Sequence, residues 1–124
     1  MAVTFTSNPS GSNGTPYGFY KMADLESDPI VISTSAITVY EMTITGGSAS
    51  DAAHVCLYDV NDTVSVGTTV PHAIFHAKVA ASFDIRIPDG MSFKNGLVAI
   101  IKDEPGTAGS SVPTATANLV LVTS

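Results

Sequence analysis

The chain has 124 residues, with 11 acids against 5 bases for a net charge of −6. That length fits one domain, burying roughly 65% of its unfolded surface, enough for a core without metals or disulfides. The bases (Lys21, Lys78, Arg86, Lys94, Lys102) are scattered, which argues against binding nucleic acid through phosphate contacts and against docking on anionic lipid.

Hydrophobic residues make up 44% of the chain and charged residues 13%, the latter about half the usual ~25%. Ser, Thr, Ala and Gly fill the difference, so the expected surface is polar but weakly charged, suited to packing against copies or a partner. Cys56 is the single cysteine, so no intrachain bridge forms and a buried, inert thiol is expected. The start, MAVTFTSNPSG, lacks the basic and apolar regions of a signal peptide. No apolar run approaches the ~18 residues of a membrane span. The glycosylation-type sequences at Asn13 and Asn61 are incidental on this reading.

Residues 1–29 differ from the rest. SNPSGSNGTPYGFY is rich in turn formers and closes on aromatics. Two readings stand: an extended arm anchoring through Tyr17, Phe19 and Tyr20 on a neighbouring subunit, or a loop whose aromatics return to the core. An arm predicts that removing residues 1–20 harms partner binding more than folding. KMADLESD, at 21–28, is expected to make one helical turn.

A β domain is expected over 30–124. IVIST (30–34) is a short strand. AITVYEMTIT (36–45) is longer, but its phase slips: Ile37 and Val39 share one face, then Tyr40, Met42 and Ile44 share the other. A bulge near Val39 and Tyr40 repairs it. GGSASDAA (46–53) is a turn. Three runs then alternate with period two, the mark of half-buried strands. In the first, His54, Cys56, Tyr58 and Val60 oppose Val55, Leu57 and Asp59. In the second, Ala73, Phe75, Ala77 and Val79 oppose His72, Ile74, His76 and Lys78. In the third, Phe83, Ile85 and Ile87 oppose Ser82, Asp84 and Arg86.

Between the first two runs, residues 61–69 have room for a short edge strand through Val64 and Val66. Pro88-Asp89-Gly90 signals a tight turn and Asn95-Gly96 a hairpin. LVAIIK (97–102) reads as a central strand covered on both faces. Residues 103–113 form a loop, and ATANLVLVT (115–123) a last, paired strand. The sum is about eight strands and no segment of helical period. The fold class is therefore all-β: an antiparallel two-sheet β-sandwich, jelly-roll or immunoglobulin-like.

Reactive constellations are sparse. His72 and His76 share one strand face about 13 Å apart at ~3.3 Å per residue, too far to share an ion without a bulge. Asp59, Asn61 and Asp62 offer hard oxygens but lack a calcium-loop pattern, and such residues also make turns. Among the acids, Glu41 is the one expected to be partly buried. No nucleophile elbow, phosphate loop or dinucleotide fingerprint occurs. Neither catalysis nor a cofactor is expected. Sugar binding has Tyr17, Tyr20, Tyr40 and Tyr58 to draw on but no Trp.

The stretch Val55-Cys56-Leu57-Tyr58-Asp59, followed by Val66-Gly67-Thr68-Thr69-Val70-Pro71, resembles a pattern found in small virion proteins of tailed bacteriophages. There a KLYD-like strand leads to VGTDTPV, an apolar strand and an FP-G--F--GL segment. Ile87-Pro88-Asp89-Gly90-Met91-Ser92-Phe93-Lys94-Asn95-Gly96-Leu97 fits the last part, and Asn118-Leu119-Val120-Leu121 looks like the family's ending. The resemblance spans about residues 36–122. Cys56 stands in place of the usual Lys, and two histidines flank the apolar strand. It implies a β-sandwich structural protein, within that class a capsid decoration or cement protein. Its partners would be the major capsid protein and its own copies, as a trimer, and its place the capsid surface after synthesis in the host cytoplasm. A tail- or fibre-associated module binding host glycan is the alternative.

Overall fold

The computed structural model describes residues 4–9, 11, 16–25, 29–46, 53–62, 64–65, 68–77, 81–102 and 117–124. They form nine strands: β1 (Thr4–Asn8), β2 (Gly18–Leu25), β3 (Ile30–Ser33), β4 (Ile37–Gly46), β5 (Ala53–Tyr58), β6 (Ala73–Ala77), β7 (Ser82–Phe93), β8 (Leu97–Lys102) and β9 (Ala117–Thr123). A five-stranded sheet runs β1-β2-β9-β4-β7 and a four-stranded sheet runs β3-β8-β5-β6. All the strand pairs are antiparallel. The expected all-β sandwich is the fold.

The pairing is nested. β5 pairs with β6, β4 with β7, β3 with β8 and β2 with β9. Folding a long antiparallel ribbon over itself produces this order, and it makes the sandwich a jelly roll. The core lies between the sheets. Tyr20, Met22, Leu119, Leu121, Met42 and Ile44 face it from the larger sheet; Val55, Leu57, Leu97, Ala99 and Ile101 face it from the smaller. LVAIIK is buried at all six positions, as its unbroken apolar run requires.

The expected phase slip in β4 is a bulge. Register with both β9 and β7 shifts between Val39 and Glu41, which lets Val39 and Met42 both reach the core, each at 0% exposure.

Several expectations need correction. Of the two readings of residues 1–29, the described part joins the sandwich and returns Tyr20 to its core, leaving Tyr17 and Phe19 exposed. Within the described part, β1 and β2 form a hairpin added to the larger sheet, and Tyr20 and Met22 are core residues. Lys21 to Leu25 continue β2 where a helical turn was expected, because Tyr20 and Met22 alternate with Phe19 and Lys21 and only a strand buries one pair while exposing the other. Pro88-Asp89-Gly90 does not reverse the chain. Met91 pairs with Val39 and Arg86 with Glu41, so residues 87–90 bow out within one strand that stays paired with β4 on either side.

Asn95-Gly96 is a turn but not a hairpin, since β7 and β8 lie in different sheets. It is a corner. A Cβ at Gly96 would meet Val60 O at 2.5 Å and Ser33 O at 2.6 Å, so the backbones approach too closely for any side chain. The described residues within 61–69 hold no strand; Val64 instead packs on the outside of the smaller sheet. The loop at 103–113 and the turn residues 47–52 lie outside the described residues.

Candidate partner-binding face

The outer face of the five-stranded sheet is set by its register. Phe19, Val122, Glu41 and Arg86 make one row across β2, β9, β4 and β7. Lys21, Val120, Thr43 and Asp84 make the next; Asn118, Thr45 and Ser82 begin a third. Thr43 Oγ1 donates to Asp84 Oδ1 at 2.6 Å, and the Thr45 and Ser82 hydroxyls lie 3.0 Å apart. Arg86 Nε stands 3.9 Å from Glu41 Oε1, in solvent, a pairing of little strength. Glu41 is half-buried, as expected, and stands on the open outer face of the sheet.

One end of this face is aromatic. Tyr17 meets Tyr40 edge-on, with centroids 6.4 Å apart and planes at 89°. Tyr40 occupies the β4 bulge, and Gly90 of the β7 excursion lies beneath its ring. Tyr17 is 48% exposed and Phe19 is 42% exposed. Tyr20, the third residue expected at a partner contact, points the other way: it is 6% exposed and stacks on Phe5 at 6.3 Å. Tyr40 joins the patch in its place. The fold therefore brings Tyr17 to Tyr40 and removes Tyr20 from the surface.

The other reactive side chains are spent on packing. Cys56 and Tyr58 sit on the outside of the smaller sheet with Val98 and Ile100, under Val64. Burial pushes the Cys56 thiol up, against the opposing charge of Lys102 and the neighbouring Tyr58 hydroxyl. Burial, reinforced by Cys56, pushes Tyr58 up to about 12. A raised thiol is a poor nucleophile, and a fully buried Tyr58 offers no ring to a sugar.

His54 stacks on His76 across β5 and β6 at 5.0 Å, while His72 packs on Phe93 at 4.8 Å. His72 and His76 do not converge. The described residues contain no group of three or more His, Cys, Asp or Glu placed to hold a metal. The His54–His76 contact depends on strand register, which spacing along the chain does not disclose.

Asp59 has a structural task. Its Oδ1 accepts from Asn95 N at 2.7 Å. Burial raises its pKa, but backbone N–H groups of Asn95, Lys94 and Gly96, with His72 nearby, outweigh that and hold the carboxyl below its usual value. Of the oxygens considered for calcium, those of Asp59 thus cap the corner between β7 and β8.

Neither the family models nor the curated proteins provide a match. Among solved structures, the crystal structure of Drosophila melanogaster CENP-C bound to CAL1 is similar at 11% identity, over 86% of this chain and 62% of that chain, with a TM-score of 0.22. A likeness at that level carries no argument about fold or function.

Proposed function

We propose that this chain is a structural protein of a tailed-bacteriophage virion: a capsid decoration or cement protein that binds the major capsid protein lattice, acts as a homo-oligomer and stabilises the head. The observation that carries the proposal is exposed Tyr17, edge-on to half-buried Tyr40 and near exposed Phe19, at one end of the outer sheet face. Exposed aromatics on a preformed surface are the usual anchors of protein contacts. The sequence resemblance over residues 36–122 supports the virion setting. Eight-stranded jelly rolls recur in viral capsid proteins and also in lectins, so the fold agrees with the proposal without deciding it. The packed state of Cys56 and Tyr58 and the capping role of Asp59 favour binding over catalysis.

The test is cosedimentation of the purified protein with phage heads lacking it, together with imaging of native particles. Binding to heads that weakens at least tenfold on Tyr17→Ala is expected. Copies confined to the tail, or absent from particles, defeat the capsid role. The same tyrosines favour the glycan-binding alternative, since exposed Tyr17 beside half-buried Tyr40 suits sugar C–H faces; reproducible glycan-array hits abolished by Tyr40→Ala would establish it.

A further inference from the structure

We infer that the outer face of the five-stranded sheet is an isologous interface, taking a second copy of this chain about a twofold axis that runs along the strands between β9 and β4. This rests on reading that face as a protein-contact surface; it does not depend on the virion setting.

The argument is charge complementarity of the face with itself. Lys21, Val120, Thr43 and Asp84 lie in one register row across β2, β9, β4 and β7. Lys21 and Asp84 therefore stand at equal distances on opposite sides of the row's centre, one positive and one negative. Rotation about an axis through that centre, parallel to the strands, carries β2 of one copy over β7 of the other. Lys21 then faces the second copy's Asp84, and the symmetry makes the contact twice. The next row places Phe19 against the second copy's Arg86, a guanidinium over an aromatic ring. At the centre Val120 meets Thr43; one row on, Glu41 borders the axis over the second copy's Val122, with Arg86 of its own sheet beside it to offset its charge.

Among the described residues, no opposite charge stands beside Lys21. Its cross-strand neighbours are Thr6 and Val120, whereas Arg86 has Glu41. Turning the axis across the strands, centred on the same row, would set Lys21 on Lys21 and Asp84 on Asp84, which repel.

The size is adequate. Four strands spaced ~4.8 Å apart and about ten residues long present roughly 600 Å², near the ~800 Å² per partner of a stable interface. Sheets packed face to face cross at about 30°, and the lysine stem spans the resulting offset between Lys21 and Asp84. Because the axis follows the strands, both Tyr17–Tyr40 pairs emerge at the same end of the pair. They remain available to a further partner.

The experiment is sedimentation equilibrium on the full chain, with circular dichroism to confirm that each variant is folded. The expected result is a dimer whose dissociation constant rises about tenfold or more in Lys21→Glu alone or Asp84→Lys alone. An equimolar mixture of the two variants should associate as the native chain does, because both contacts across the mixed pair are again between opposite charges. The chain carrying both substitutions should also dimerise. A monomer at all concentrations, a trimer, or a dimer indifferent to both reversals overturns the inference, as does rescue of Asp84→Lys by Arg86→Glu and not by Lys21→Glu. Failure of head binding with this pattern intact would defeat the virion proposal and leave the twofold interface standing.

Discussion

Gly90 lies beneath the ring of Tyr40. A Cβ at position 90 would stand 2.9 Å from Tyr40 Cε1 and would also collide with Thr38 Cγ2, on a backbone whose φ is +81°. Two irregularities thus meet at one point: the bulge that turns Tyr40 outward and the excursion that carries β7 around it. Gly90→Ala combines a left-handed φ with the loss of that seat. It should cost about 1–3 kcal/mol, measured by urea unfolding. It should also disturb the Tyr17–Tyr40 contact, read out as a change in near-ultraviolet dichroism.

Neighbouring aromatics should behave in opposite ways. Tyr20 is a core residue stacked on Phe5, so Tyr20→Ala should destabilise by about 3 kcal/mol or more. Tyr17 is 48% exposed, and Tyr17→Ala should stay within about 0.5 kcal/mol of the native chain. Equal losses in the two denaturation midpoints would contradict the facing assigned to them.

Asp59 predicts a pH dependence. Its folded-state pKa is depressed, because donors from Asn95, Lys94 and Gly96 outweigh the cost of burial. Its stabilisation is therefore fully present above the unfolded carboxylate value of ~3.9 and is lost as pH falls through the lower, folded value. Asp59→Asn should melt below the native protein at neutral pH. The gap should close on acidification; one that widens in acid would reverse the sign of the argument.

Cys56 should be silent toward thiol reagents. It is fully buried and its pKa is raised mainly by desolvation. Modification by a disulfide reagent at mildly alkaline pH should follow the rate of opening and become complete only in denaturant. Rapid stoichiometric reaction of the folded chain would show that the cover supplied by Val64 is incomplete.

Where apolar residues were dense enough to show their spacing, the chain was legible. LVAIIK announced a strand buried on both faces, and the slip from Val39 to Met42 announced a bulge that the register shows. The N-terminal hairpin was hidden because Gly, Ser, Asn and Pro between its strands dominate the local signal, although Phe19 to Met22 already alternate. Pro88-Asp89-Gly90 misled because the same residues serve a reversal or an excursion, and only the pairing of β4 on both sides decides between them. Asn95-Gly96 misled because a tight turn carries no record of which sheet the chain enters next. At the candidate face, Tyr17 and Phe19 could be picked out as aromatics, but their partners could not. Tyr40 arrives through the bulge, and Asp84 comes into line with Lys21 only across three strand pairings.

The nested pairing also orders the chain's assembly in time. β5 and β6 meet across the 14 residues between Tyr58 and Ala73, while Met22 must wait for Leu119 and Met42 for Leu121, both far later in the chain. During synthesis, β2 and β4 emerge with the slot between them empty and their methionines uncovered. Closure therefore proceeds from the β5–β6 end outward and finishes when β9 slides into place. A ribosome stalled before β9 would hold a sticky, half-zipped ribbon, and chaperone demand should peak just before those residues leave the tunnel.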